Sequence, residues 1–155
     1  MVNLSSSPYH RGKEGLRLKM LASHARKAGV PLAYCNLAGG NDDLLFDGRS
    51  ALIAPNGSTL AEAKPFDADR ITLEPGSPTA INPPHHADER LVIDALTVGV
   101  RDYLGKCGFR SACLGLSGGI DSAITAAIAV RALGPEAVTG VAMPGPFSSE
   151  GSVTD

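Results

Sequence analysis

Residues 114–123 read LGLSGGIDSA, and this stretch decides how the second half of the chain is organised. Ala112 to Leu116 is an apolar run of strand length. Ser117 to Ser122 is a Gly-rich loop from which a helix starts at about Asp121. It continues through Ala123 to Leu133 and stops at Gly134-Pro135. Val138 to Met143 is a second apolar run, ended by Pro144. Strand, loop, helix and strand in this order predict one βαβ unit of a parallel sheet. Two parallel strands cannot cover their own faces, so the unit reads as the opening of a larger sheet.

The loop between the strand and the helix has the chemistry of an anion site. Gly118 and Gly119 carry no Cβ, so their backbone N–H groups can approach a ligand closely. The helix that follows directs its free N–H groups and the positive end of its dipole to the same place. Ser117 and Ser122 add hydroxyl groups, and Asp121 adds a hard oxygen ligand suited to Mg²⁺. Together these residues favour a polyphosphate with its metal. The pattern is not a Walker A loop, because no Lys occurs between Leu114 and Arg131, and it is not GxGxxG.

Upstream, the pattern changes. Val2 to Leu4 reads as the end of a strand, and Ser5-Ser6-Ser7-Pro8 as a loop. Arg11 to Ala28 reads as a helix stopped by Gly29. The expected core face of that helix is Leu16, Met20 and Leu21, with Lys13, Glu14, Arg17 and Lys27 toward solvent. Pro31 to Leu37 is expected as a buried strand, Gly39 to Asp43 as a loop, and Leu44 to Phe46 and Ser50 to Ala54 as strands. Pro55-Asn56-Gly57 then makes a hairpin turn before Ser58 to Ala63. Pro75, Gly76, Pro78, Pro83 and Pro84 resist helix and ladder alike. The expected organisation is therefore a first domain over 1–74, a linker over 75–85 and a second domain over 86–155. The second domain opens with a helix from His86 to Lys106 whose core face is Leu91, Ala95, Val98 and Leu104.

Composition narrows the classes. With 14 Lys+Arg against 16 Asp+Glu the formal charge is −2, which excludes a broad basic surface for nucleic acid. No run approaches the ~18 apolar residues of a membrane span. The three cysteines, Cys35, Cys107 and Cys113, form no CxxC pair and read as reduced thiols of a cytoplasmic protein. Cys35, inside an apolar run, is expected to be buried and inert, and Cys107 and Cys113 likewise. His85-His86 has no second ligand pair at zinc spacing.

The loop SGGIDS resembles the pyrophosphate loop of the ATP-pyrophosphatase superfamily, which cleaves ATP between its α- and β-phosphates. VAMPGPFSSEGSVTD, residues 141–155, is similar to the segment that follows this loop in NAD synthetases, although Gly145-Pro146-Phe147 departs from the family's usual MPSRYSS. NLSSSPYHRGK, residues 3–13, and PLAYCNLAGGNDDLLFDGRSALIAPNG, residues 31–57, resemble the C-terminal half of a nitrilase-type glutaminase domain. The two halves stand in the order found in glutamine-dependent NAD synthetases.

That resemblance implies an α/β fold: the C-terminal half of a nitrilase-like α-β-β-α domain, then the first βαβ unit of a Rossmann-like parallel sheet of the adenine nucleotide α-hydrolase type. It implies an ATP-binding set of Gly115, Leu116, Ser117, Gly118, Gly119, Ile120, Asp121 and Ser122, with Met143 near the adenosine and Asp121 as Mg²⁺ ligand. Ser7 and Lys13 match positions that contact glutamine, the cation suiting its carboxylate. The cofactors implied are ATP and Mg²⁺, and the other substrates are deamido-NAD and glutamine or ammonia. Neither nucleic acid nor membrane is an expected partner, and the parent enzyme is expected to be a cytoplasmic homo-oligomer. By the family order, the glutaminase Glu, Lys and Cys triad lies upstream of Met1. The chain then reads as a central fragment, itself inactive. Two readings stay open beside this one: another amidotransferase of the same superfamily, and a non-catalytic ATP-binding module.

Overall fold

The computed structural model describes residues 1–73 and 88–143. They divide between two compact units, Met1–Ala95 and Leu96–Asp155. The expected linker over 75–85 and the His85-His86 pair lie outside the described residues.

The first unit is built on a mixed four-stranded sheet. Strand β1 (Val2–Ser5) leads into helix α1 (Lys13–Ala28), which returns the chain to β2 (Leu32–Asn36), parallel to β1. Strands β5 (Ala51–Ile53) and β6 (Thr59–Glu62) continue the sheet antiparallel, in the order β1-β2-β5-β6. Between β2 and β5, strands β3 (Ala38–Asn41) and β4 (Leu44–Asp47) form a separate antiparallel hairpin. The expected loop over Gly39 to Asp43 is therefore mostly strand. Asp42 adopts φ 52, so the turn closes within Asp42-Asp43 and Asn41 pairs directly with Leu44. The Pro55-Asn56-Gly57 turn is as expected. Asn56 Oδ1 accepts from the Ser58 backbone N–H at 2.9 Å, and Gly57 takes φ 83.

Helix α1 packs on one face of this sheet, where Leu21, Ala25, Leu32, Tyr34, Ala51 and Ile53 form the core cluster. Side chains alternate along a strand, so Leu32, Tyr34 and Asn36 share this face while Ala33 and Cys35 point the other way. Cys35 is consequently exposed, contrary to expectation, because α1 covers only the opposite face. Cys107 and Cys113 are exposed too.

The buried stripe of α1 also differs from the one expected. Arg17, Leu21 and Ala25 are buried at a spacing of four, whereas Leu16 is 70% exposed and Met20 48%. An arginine lies in the core stripe because it has a carboxylate to meet. Arg17 Nη1 and Nη2 donate to Asp47 Oδ1 and Oδ2 at 3.0 and 2.5 Å, and both side chains are buried. The Arg17 guanidinium carbon also stands 5.7 Å from the centroid of the Tyr34 ring. Gly29 ends the helix as expected, at φ 65, its N–H bonding back to Ala25 and Arg26.

Helix α2 (Asp88–Lys106) carries the residue at which the two units are divided. Leu91, Ala95 and Val98 are buried as expected, and Leu104 is half-buried. In the second unit, β7 (Ala112–Leu116) is followed by helix α3 (Ile120–Leu133), a 3₁₀ turn over Pro135–Ala137, and β8 (Val138–Ala142). The two strands pair in parallel, from Ala112↔Val138 to Leu116↔Ala142, so the expected βαβ unit is present. Gly140 permits close packing of this pair, since a Cβ there would stand 2.6 Å from Leu116 Cδ1. Among the described residues, no helix is long and apolar enough to cross a membrane.

Breaking a buried ion pair from one side strands the other charge, at about 3–5 kcal/mol. Asp47→Ala should therefore lower the unfolding free energy of the first unit by about that amount. Leu16→Ala, at an exposed position, should change it by less than about 0.5 kcal/mol. Urea denaturation of both variants tests this. Equal effects would contradict the assignment of Arg17, and not Leu16, to the core.

Candidate functional site

In the second unit the chemistry-bearing residues converge at the carboxyl end of β7. The strand stops at Leu116, and Ser117, Gly118 and Gly119 make the connection to α3. Gly118 takes φ 74, in the left-handed region where a side chain is strained. Gly119 is the residue before the helix, in extended conformation, and its carbonyl accepts the first helical bond from Ala123 at 3.2 Å. The helix begins one residue earlier than expected, so Ile120, Asp121 and Ser122 form its first turn. Their N–H groups have no intrahelical acceptor and point toward the loop.

Two serines brace this turn from within. Ser122 Oγ donates to Gly119 O at 2.8 Å, and it stands 3.2 Å from Ser117 Oγ. Ser117 N donates to Ser122 Oγ at 3.3 Å, and Gly119 N to Ser117 Oγ at 3.4 Å. The loop therefore holds its shape through its own hydroxyl groups, which keeps the backbone N–H groups of the helix start aimed outward. Ser117, Gly118, Gly119, Ile120 and Asp121 are all exposed or half-buried, open to a ligand.

Met143, just past β8, is brought to the same end of the sheet. A Cβ on Gly115 would lie 2.7 Å from Met143 Cε, so the thioether arm lies directly over Gly115. Met143 is nonetheless 72% exposed. Gly115 and Leu116 belong to the strand, not the loop, and the loop proper starts at Ser117. Beside it, an apolar cavity of about 570 Å³ is lined by Leu96, Val100, Leu114, Ile124 and Ile128. Asp121 and Thr125 are its polar lining residues. Thr125 Oγ1 donates to Asp121 O at 2.8 Å, which anchors the first turn of α3 to the second.

In the first unit, Ser7 lies in the loop between β1 and α1, and Lys13, the first residue of α1, reaches back to that loop. Lys13 Nζ donates to Pro8 O at 2.9 Å and is half-buried. Ser7 N donates to Asn36 Oδ1 at 2.8 Å. Tyr9 N donates to Leu45 O at 2.6 Å, and the Tyr9 ring meets Phe66 edge-on at 4.9 Å between centroids. Burial, with the nearby carboxylates of Glu14 and Asp47, pushes the Tyr9 phenol above its ordinary pKa.

Sequence reasoning missed the residues under this loop: Arg17, Asn36 and Asp47. Burial of Arg17 opposes its charge, but the hydrogen bond and charge of Asp47 outweigh it and hold the guanidinium above its ordinary pKa. The available signal was the four-residue spacing of Lys13, Arg17, Leu21 and Ala25. A charge in such a stripe demands a buried partner. Among the described residues, no group of three or more His, Cys, Asp or Glu is placed to hold a metal by itself. Asp121 belongs to no such group.

Comparisons with known proteins find relatives that match both units. The family model described as NAD synthase matches residues 92–155. The glutamine-dependent NAD(+) synthetase of Synechocystis is 45% identical over 100% of this chain, and that of Rhodobacter capsulatus 39% over 97%. The chain spans 29% of the length of each of these two relatives. A solved structure of the glutamine-dependent NAD(+) synthetase from Acinetobacter baumannii, in complex with ADP, superposes with a TM-score of 0.85. It is 34% identical to this chain, and the match covers 99% of this chain and 30% of that one. The likeness runs through both units, from the β1–α1 loop to the loop after β7. Along its length the chain is similar to part of glutamine-dependent NAD(+) synthetases.

Proposed function

We propose that these residues serve a glutamine-dependent NAD(+) synthetase, contributing the ATP loop of its synthetase half and part of the glutamine site of its glutaminase half. The observation that carries this reading is the Ser117–Ser122 turn. It joins the carboxyl end of a parallel strand to a helix start with free N–H groups, in a chain whose relatives match it across both units. In this reading residues 1–74 are the C-terminal part of a nitrilase-like α-β-β-α domain. Residues 75–85 are a linker, and 86–155 open a Rossmann-like synthetase domain of the adenine nucleotide α-hydrolase type.

The reaction is an amidation in two displacements. A carboxylate oxygen of deamido-NAD attacks the α-phosphorus of ATP, the bond to the β-phosphate oxygen breaks, and pyrophosphate leaves. Ammonia from glutamine then attacks the acyl carbon, AMP departs, and a proton is released as the amide forms. Negative charge accumulates on the leaving pyrophosphate. There the Gly118 and Gly119 backbone, the first-turn N–H groups of Ile120, Asp121 and Ser122, and the Ser117 hydroxyl stabilise it without reorganising. Gly115 and Leu116 shape the strand end, and Met143 over Gly115 offers an apolar surface to the adenosine.

Mg²⁺ fits this site. It is commonly held by one or two carboxylates with substrate phosphates and water completing its shell. A single exposed carboxylate, Asp121, on the first turn beside the phosphate-facing N–H groups is such a ligand. Bound there, the cation would offset the charge of the polyphosphate. In the other half, the Lys13 ammonium and the Ser7 hydroxyl are suited to the carboxylate and amino groups of free glutamine. The complete enzyme is proposed to act as a homo-oligomer in the cytoplasm, where exposed thiols such as Cys35, Cys107 and Cys113 stay reduced.

Two substitutions in the complete enzyme test the assignments separately. Asp121→Ala should cut NAD formation by about 10²-fold or more even with ammonia supplied, as the loss of a charge-stabilising group at a leaving phosphate does. Normal ammonia-dependent turnover in that variant would remove Asp121 from the site. Lys13→Ala should raise the KM for glutamine about tenfold, equivalent to ~1.4 kcal/mol, and leave ammonia-dependent synthesis nearly unchanged. Equal losses with glutamine and with ammonia would contradict a role in glutamine recognition.

A further inference from the structure

We propose that Asn36 is a positioning residue for the glutamine site, holding the Ser7 segment through a buried relay that starts at Arg17. The inference rests on the assignment of Ser7 and Lys13 to glutamine made above and adds what sets their position. Asn36 closes β2, is 7% exposed, and has every polar atom of its side chain engaged. Its Nδ2 faces three acceptors: Gly48 O at 3.0 Å, Asp47 Oδ1 at 3.3 Å and Ser7 O at 3.4 Å. With those acceptors on one side, the amide has a single orientation, and Oδ1 is left to accept the Ser7 N–H at 2.8 Å. The backbone of Asn36 is pinned as well, its N–H donating to Ser50 Oγ at 3.0 Å.

The orientation of that amide is dictated from below. Asp47 is held by both guanidinium nitrogens of Arg17, so the oxygen it presents to Asn36 is fixed. Arg17 is in turn one helical turn from Lys13, on the same stripe of α1. One buried network thus connects both candidate glutamine contacts: Lys13 through the helix, Ser7 through Asp47 and Asn36. It holds Ser7 through the peptide groups on both sides of its Cα, accepting from its N–H and donating to its C=O. A buried polar group with its hydrogen bonds met in this way fixes local geometry. A misplacement of about 1 Å at a binding contact can cost on the order of 10²-fold.

The test compares four variants of the complete enzyme under glutamine and under ammonia. Asn36→Ala should raise the KM for glutamine about tenfold or more, while glutamine-dependent kcat and all ammonia-dependent constants stay within about twofold. Asn36→Ser, whose hydroxyl cannot reach Ser7, should do the same and decides the matter if the alanine variant does not fold. Leu21→Ala loosens the core under α1 without touching the relay and should leave the glutamine KM unchanged. Ser7→Ala tests the underlying assignment, since it removes the hydroxyl and keeps the backbone N–H bonded to Asn36. A raised KM in Ser7→Ala with a normal KM in both Asn36 variants overturns the positioning role alone. A normal KM in Ser7→Ala overturns the glutamine-site assignment and this inference with it. A fall in glutamine kcat at constant KM, or an equal rise of KM in Leu21→Ala, would make Asn36 merely structural.

Discussion

The first unit depends on one interaction, the buried ion pair between Arg17 on α1 and Asp47 at the end of β4. Desolvating both charges is costly, and the cost is offset only where geometry is good and the remaining lone pairs are met. Here the pair is bidentate, Asn36 donates to the same carboxylate, and the Tyr34 ring lies by the guanidinium. The pair ties the helix to the hairpin β3–β4, which belongs to a different sheet from the strands that α1 packs on. Side-chain packing alone does not specify that docking. An ion pair with two parallel hydrogen bonds does. The same core leaves the Tyr34 hydroxyl buried without a hydrogen-bond partner among the described residues, a polar cost accepted beside the charge network.

The second unit relies on backbone conformation. Its loop needs a left-handed residue at Gly118 and serines short enough to bond back into the turn, while a Cβ on Gly119 would press on Ser117 Oγ at 3.3 Å. Gly115 and Gly140 work the same way on the strands, making room for Met143 and Leu116 respectively. Small residues bring backbone donors to the ligand surface, and larger neighbours fill the space they leave. The proposed recognition of phosphate by main-chain N–H groups rests on this economy of side chains.

How much of this was legible from the residues depended on which force set each feature. The strand over Ala112 to Leu116, its parallel partner and the Gly-rich turn between them were readable, because glycines and apolar runs declare them locally. The turn at Pro55-Asn56-Gly57 was readable for the same reason. The core face of α1 was not. Counting apolar residues put Leu16 and Met20 inside and Arg17 outside, and the true stripe is decided by Asp47, 30 positions away. Cys35 was misread in a related way: an apolar run suggests a strand buried on both faces, but α1 covers only the face of Leu32, Tyr34 and Asn36. The hairpin at Gly39-Gly40-Asn41 was hidden by its own composition, since two glycines and an asparagine read as loop until Asp42 supplies the turn.

The central claim is that the turn from Ser117 to Ser122 holds the pyrophosphate released when ATP is split between its α- and β-phosphates. The most direct measurement is the nucleotide product formed by the complete enzyme with ATP, deamido-NAD and ammonia, resolved by phosphorus NMR. The account predicts AMP and pyrophosphate in equal amounts, one of each for every NAD formed. Formation of ADP and orthophosphate would contradict it.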